Sequence, residues 1–170
     1  MTTLTQPLRD EHKELMPHVK TLKQAGEAIQ ETLTASDRAL IDEAYTFLTH
    51  HLIPHAQAEE KALYPVVQKV MGAEEATATM SRDHVEIGQL AQELGLLRSK
   101  ITGTAITAKQ ANALRSVLFG LHAIVKLHFA KEEEVYLPLL DARLTAAEAQ
   151  AMFSAMEAAA QAAKARLQVN

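Results

Sequence analysis

Two stretches of this chain repeat one another 73 residues apart. His55-Ala-Gln-Ala-Glu59-Glu60 is followed by Pro65, and His128-Phe-Ala-Lys-Glu132-Glu133 is followed by Pro138, ten residues after the histidine in both cases. Each stretch is preceded by another histidine in an acidic setting. His12 lies in Asp10-Glu11-His12-Lys13-Glu14, and His84 in Arg82-Asp83-His84-Val85-Glu86. The gap from His12 to His55 is 43 residues and that from His84 to His128 is 44. In an antiparallel helical hairpin, residues equidistant from the turn lie at one level. The midpoint of His12 and His55 is 33.5, that of His84 and His128 is 106, and that of Glu59 and His84 is 71.5, beside Gly72. All three midpoints fall in stretches that read as turns. Antiparallel helices would therefore hold four imidazoles and two carboxylates in one layer.

The rest of the sequence agrees with helices. Leu8, His12, Leu15, Val19, Leu22 and Ile29 form one stripe of a first helix, with Pro7 tolerated in its first turn. Thr34 and Asp37 cap a second helix carrying Tyr45, Leu48, Leu52, His55, Glu59 and Leu63, which Gly72 ends. A third carries Met80, His84, Ile87, Ala91 and Leu94 and ends at Gly103. Thr107 and Gln110 form a capping box for a fourth, with Leu114, Leu118, Leu121, Val125, His128, Glu132 and Val135. Thr145 and Glu148 open an alanine-rich fifth. Its stripe of Met152, Ala155, Met156, Ala159 and Ala163 suits either covering the bundle or pairing two chains as a homodimer. The expected fold is all-α. It is an up-down antiparallel four-helix bundle over about 5–140 with an additional C-terminal helix over about 145–168, in one domain spanning 1–170.

Composition excludes several classes. A net charge of −4 leaves no basic surface for nucleic acid. The chain has no cysteine, which removes disulfides, thiolate zinc sites and iron–sulfur clusters. No long run of uncharged apolar residues reads as a membrane span, and the N-terminus lacks the pattern of a signal peptide, so a cytoplasmic location is expected.

Residues four apart share a helix face, about 40° apart in projection. His55 with Glu59, and His128 with Glu132, can thus reach one cavity, joined there by His12 and His84. Imidazoles and carboxylates suit iron. Two histidines per metal and two bridging glutamates, with a bridging oxo or hydroxo group, leave a position open for a small molecule. Glu60 and Glu133, about 140° from their histidines, are expected in solvent. Glu14 and Glu86 read as surface charges, as do His18, His50 and His122, and His51 as partly exposed. Tyr136, one turn beyond Glu132, is the candidate for a phenol beside the metals. Pro54 is a candidate kink just before His55. The residues three before the eight histidines include no glutamate, so the Glu-x-x-His signature of ferritin-like di-iron bundles is absent.

At His12, His55, Glu59, His84, His128 and Glu132, and in Glu59-Glu60-Lys61-Ala62-Leu63-Tyr64-Pro65, the sequence resembles the hemerythrin-like, or HHE cation-binding, family over roughly 8–140. The resemblance implies a four-helix bundle holding a non-heme di-iron centre. It also implies a departure. Oxygen-carrying hemerythrins have two histidines at i, i+4 on the third helix, whereas Met80 and Gly88 flank His84 at those spacings. That favours proteins handling hydrogen peroxide, nitric oxide or oxygen over a dedicated carrier. Peroxide dismutation needs no outside reductant, and net reduction of nitric oxide needs an external electron donor. The alternative is a non-catalytic sensor of oxygen, nitric oxide or iron, or an iron donor.

Overall fold

The structure, a computed structural model, describes residues 3–167. Helix α1, Gln6–Ala28, begins at Thr5, whose N–H and hydroxyl donate to Asp141 at 2.8 and 3.0 Å. This ties the start of α1 to the far end of the chain. Helix α2 runs over 35–71. Its α-helical parts Ala35–Phe47, Ile53–Ala58 and Tyr64–Met71 are joined by π-helical Leu48–Leu52 and Glu59–Leu63. Thr34 and Asp37 close a capping box at its start. Gly72, at φ 68°, ends it in the left-handed conformation that glycine adopts without a Cβ penalty. A 3₁₀ turn, Glu74–Thr77, leads into α3, Ala78–Ser99, which stops four residues before the expected Gly103. Helix α4 comprises Ala108–Lys131, a π-helical Glu132–Tyr136 and Leu137–Arg143, opened by the Thr107–Gln110 capping box. Helix α5 is Ala146–Leu167; position 168 of its expected end lies outside the described residues.

The first four helices form a square in which α1 touches α2 and α4, and α3 touches α2 and α4. At one end the α1–α2 and α3–α4 loops clip together. The Leu33 N–H donates to the Thr104 carbonyl at 2.8 Å, and the Ile106 N–H to the Glu31 carbonyl at 2.9 Å. Above these loops lies an apolar cluster including Leu22, Leu48, Leu94, Leu114 and Leu118. A second cluster, including Leu8, Leu63, Tyr64, Met80 and Leu137, fills the opposite end. Helix α5 folds back on the middle of α2 and contributes Met152 and Met156 to this second cluster. The stripe on α5 thus covers the bundle.

All three π segments precede a proline. Pro54, Pro65 and Pro138 each fall in the first two positions of the α-helical part that follows. Proline has no N–H to give and its ring clashes with the carbonyl four residues back. The chain answers with a widened turn. Ile53, Tyr64 and Leu137 donate five residues back, to the carbonyls of Leu48, Glu59 and Glu132. Pro54 therefore marks a π turn. Helix α4 is long and apolar enough, by composition alone, to cross a membrane, although it contains no unbroken run of uncharged apolar residues of that length. The same helix carries His128 and Glu132 into the bundle, as a core helix does.

Candidate metal centre

Between the two apolar clusters lies one polar layer. It holds His12 from α1, His55 and Glu59 from α2, His84 from α3, and His128 and Glu132 from α4. All six predicted residues meet there. Both glutamates are fully buried, and His12, His55 and His128 nearly so.

The two carboxylates are divided between two pairs of imidazoles. Glu59 Oε1 is 2.9 Å from His55 Nε2 and 3.9 Å from His12 Nε2. Its Oε2 is 3.2 Å from His84 Nε2 and 3.8 Å from His128 Nε2. Glu132 mirrors it, with Oε2 3.4 Å from His12 Nε2 and Oε1 3.5 Å from His128 Nε2. Two groups of convergent ligand atoms result. One is His12, His55, Glu59 and Glu132; the other is Glu59, His84 and His128. His12 Nε2, His55 Nε2, both Glu59 oxygens and Glu132 Oε2 are buried without a hydrogen-bond partner. Burying such atoms unpaired is costly. Cations between them would satisfy every one, so the residues present fit a two-metal group.

Three of the four imidazoles are hydrogen-bonded from behind by a carboxylate, and the fourth, His55, has one close by without a hydrogen bond. His12 Nδ1 pairs with Glu133 at 2.9 Å, His84 Nδ1 with Glu60 at 2.8 Å, and His128 Nδ1 with Asp83 at 3.1 Å. His55 Nδ1 stands 3.1 Å from Glu11. A carboxylate accepts only, so these Nδ1 atoms carry protons, and the Nε2 of a neutral ring then presents its lone pair to the centre. Glu60 and Glu133 are therefore not merely solvated, as expected from their phase. They reach sideways to a histidine on the neighbouring helix, and each links one half of the repeat to the other. Glu11 and Asp83, each just before the first histidine of its half, serve the second. An outer set holds these carboxylates: Arg9 bonds Glu133 and Asp141, Lys131 bonds Asp83, and the Ser81 hydroxyl donates to Glu60 at 2.9 Å.

The phenol expected from Tyr136 comes instead from Tyr64. Tyr136 donates to the Ala76 carbonyl at 2.7 Å and anchors the 3₁₀ turn. The Tyr64 hydroxyl donates to Glu132 Oε1 at 3.2 Å and lies 3.4 Å from both His84 Nε2 and His128 Nε2. The π turn starting at Glu59 explains the exchange. It adds a residue, so the side chain five after Glu59 reaches the seam. The equivalent residue in the second half is Leu137, so the pair of histidines from α3 and α4 alone has a phenol beside it. His122 departs slightly from its surface reading, since its Nδ1 donates to the Val19 carbonyl at 3.0 Å.

The model of the hemerythrin HHE cation-binding domain matches residues 3–140. The chain belongs to this family. No curated protein and no solved structure gives a match to it. In this HHE domain the matched segment contains the whole polar layer, while α5 lies beyond it.

Without metal, the layer holds its charge with protons. Burial acts to lower the pKa of His12, but the close carboxylates of Glu132 and Glu59 outweigh that and raise it to about 9. Burial likewise opposes charge on His55 and His128, and the acidic groups around them raise both. Burial acts to raise Glu59, yet the charge of His55 and the close approach of three imidazoles hold it well below the usual carboxylate range. Burial, then the charges of Glu59 and Glu132, push the Tyr64 phenol upward.

The sign for stability follows. A raised histidine stabilises the fold fully below its unfolded value near 6.5, and this is lost as pH rises to about 9. The lowered Glu59 stabilises above the usual carboxylate value, and this is lost in acid. Metal-free protein should therefore melt highest near pH 5–6 and lose on the order of 3 kcal/mol between pH 6 and 9.5. Thermal unfolding across that range checks it; a melting temperature that does not fall would contradict proton compensation. Glu59→Ala and Glu132→Ala should abolish metal binding. Glu60→Ala and Glu133→Ala should weaken it about 10- to 100-fold, as loss of a ligand's orienting partner does. Metal titrations of the four variants separate the two classes.

Proposed function

We propose that the layer holds two iron ions, one between His12 and His55 and one between His84 and His128, shared by Glu59 and Glu132, and that this centre consumes hydrogen peroxide. The observation that carries this is the division of each buried carboxylate's oxygens between the two imidazole pairs. Two irons with an oxo or hydroxo bridge, held by these six side chains, would supply two-electron redox chemistry and bind a small molecule.

The chain's own part is to hold, orient and keep dry. Four carboxylates fix the four imidazole rings. The apolar clusters close the layer from the two ends of the bundle. Tyr64 donates its proton to Glu132 and orients that carboxylate. Peroxide is favoured among small oxidants because its dismutation, two hydrogen peroxide giving two water and one oxygen, balances without an outside reductant. With no cysteine in the chain, no thiol pair can relay electrons to the layer. Nitric oxide or oxygen could bind at the same position, but their net reduction requires an external donor.

Iron-loaded protein mixed with peroxide should evolve oxygen at half the molar amount of peroxide consumed, and Glu132→Ala should not. Oxygen evolution no faster than that of free iron would overturn the catalytic reading and favour reversible binding or sensing. A second prediction concerns Tyr64. A nearby cation lowers the pKa of a hydroxyl and so opposes the burial that raises this one. The ferric protein should then show a visible phenolate absorption that Tyr64→Phe removes while keeping its iron. An unchanged spectrum would leave Tyr64 as a hydrogen-bond donor only.

A further inference from the structure

Three cavities approach the layer, and they differ in how near they let solvent come. One, of about 380 Å³, lies under α5 and ends on His55 and Glu11. One, of about 330 Å³, lies between α1 and α4 and ends on His12 and Glu133. The third, also about 330 Å³, lies between α2 and α3 and ends on His84 and Glu60. His84 has the most exposed side chain of the four imidazoles, at 9 % against 4 % or less for the others.

The wall of the third cavity contains Gly88, one helical turn beyond His84 on α3. A Cβ built there meets nothing within 4 Å. Glycine weakens a helix interior relative to alanine, and no turn, tight contact or positive φ requires it here. What its missing side chain leaves is space. Ile53, Ile87 and Ala91 line the walls, and Gln57 and Gln92 stand exposed at the mouth. Among the lining residues Glu60 is the one carboxylate, with no lysine or arginine, which disfavours anions. These features suit a small neutral molecule.

We propose that the cavity between α2 and α3, kept open by the absent side chain of Gly88, is the entrance through which a small neutral oxidant reaches the His84 side of the layer. This rests on the di-iron reading for the oxidant, but the access itself does not. It also places the arriving molecule on the side that carries Tyr64, rather than on the His12 and His55 side.

Gly88→Leu should fold, since it replaces a helical glycine and fills apolar space, and should bind as much iron as the wild type. Nitric oxide is the neutral probe. Its association with the ferrous protein, followed by stopped-flow absorbance, should slow by about tenfold or more in Gly88→Leu. Ala160→Leu and Ala130→Leu, in the other two cavities, should keep rates within about twofold of wild type. A fully loaded Gly88→Leu with an unchanged rate would overturn the proposal, as would a slowing confined to either alanine variant. If Gly88→Leu loads poorly, Gln92→Trp at the mouth decides by the same rate. A metal-independent measurement separates the two readings. In metal-free protein, diethyl pyrocarbonate should modify His84 ahead of His12, His55 and His128, as read by peptide mass, and Gly88→Leu should suppress that reaction. Wild-type protein that takes up no iron would sink the di-iron reading alone. Equal labelling of His84 in wild type and Gly88→Leu would sink the entrance.

Discussion

Two carboxylates, Glu59 and Glu132, sit with no exposure to solvent in the middle of an apolar bundle. Leaving an ionised carboxylate there without positive charge would cost several kcal/mol each. The four histidines around the layer, and the acids behind them, answer that cost. With metal absent, His12, His55 and His128 hold protons beyond their usual range. Metal cations bound there would replace those protons. The same six side chains therefore serve two charge states of one layer, and the fold must tolerate both.

The duplication of the sequence makes this possible with few parts. Each half gives two histidines and one shared glutamate. The residue before its first histidine, Glu11 or Asp83, steadies its second. The residue after its glutamate, Glu60 or Glu133, steadies a histidine of the other half. The halves are thereby locked to each other through the site as well as through the core. They are not identical. Tyr64 faces Leu137 across the pseudo-symmetry, and only the His84 side has Gly88 and its cavity. The two imidazole pairs built from one repeat thus have different neighbours.

Helix faces and levels were legible in the sequence because they follow from α-helical spacing and from turns marked by Thr34, Gly72 and Thr107. The six residues of the layer were found that way. The differences have two physical origins. Phase reckoned from 3.6 residues per turn fails across a π turn, and one begins at each of Glu59 and Glu132. Tyr136 was therefore chosen where Tyr64 is the phenol in the layer. The signal was present in Pro65 and Pro138, each six residues after its glutamate, where the missing N–H and the ring clash favour a widened turn, although α1 accommodates Pro17 without one. Glu60 and Glu133 were placed in solvent for a different reason. A helical wheel gives direction on one helix, whereas their partners, His84 and His12, lie on neighbours.

In the proposed di-iron protein, one layer exchanges protons for two metal ions. Anaerobic titration of metal-free protein with ferrous iron in weakly buffered solution near pH 7 reads both quantities together. Binding should saturate at about two irons per chain, with protons released into solution as the imidazoles give up theirs. Saturation at one iron per chain, or binding without proton release, would contradict a shared layer that compensates its buried carboxylates in both states.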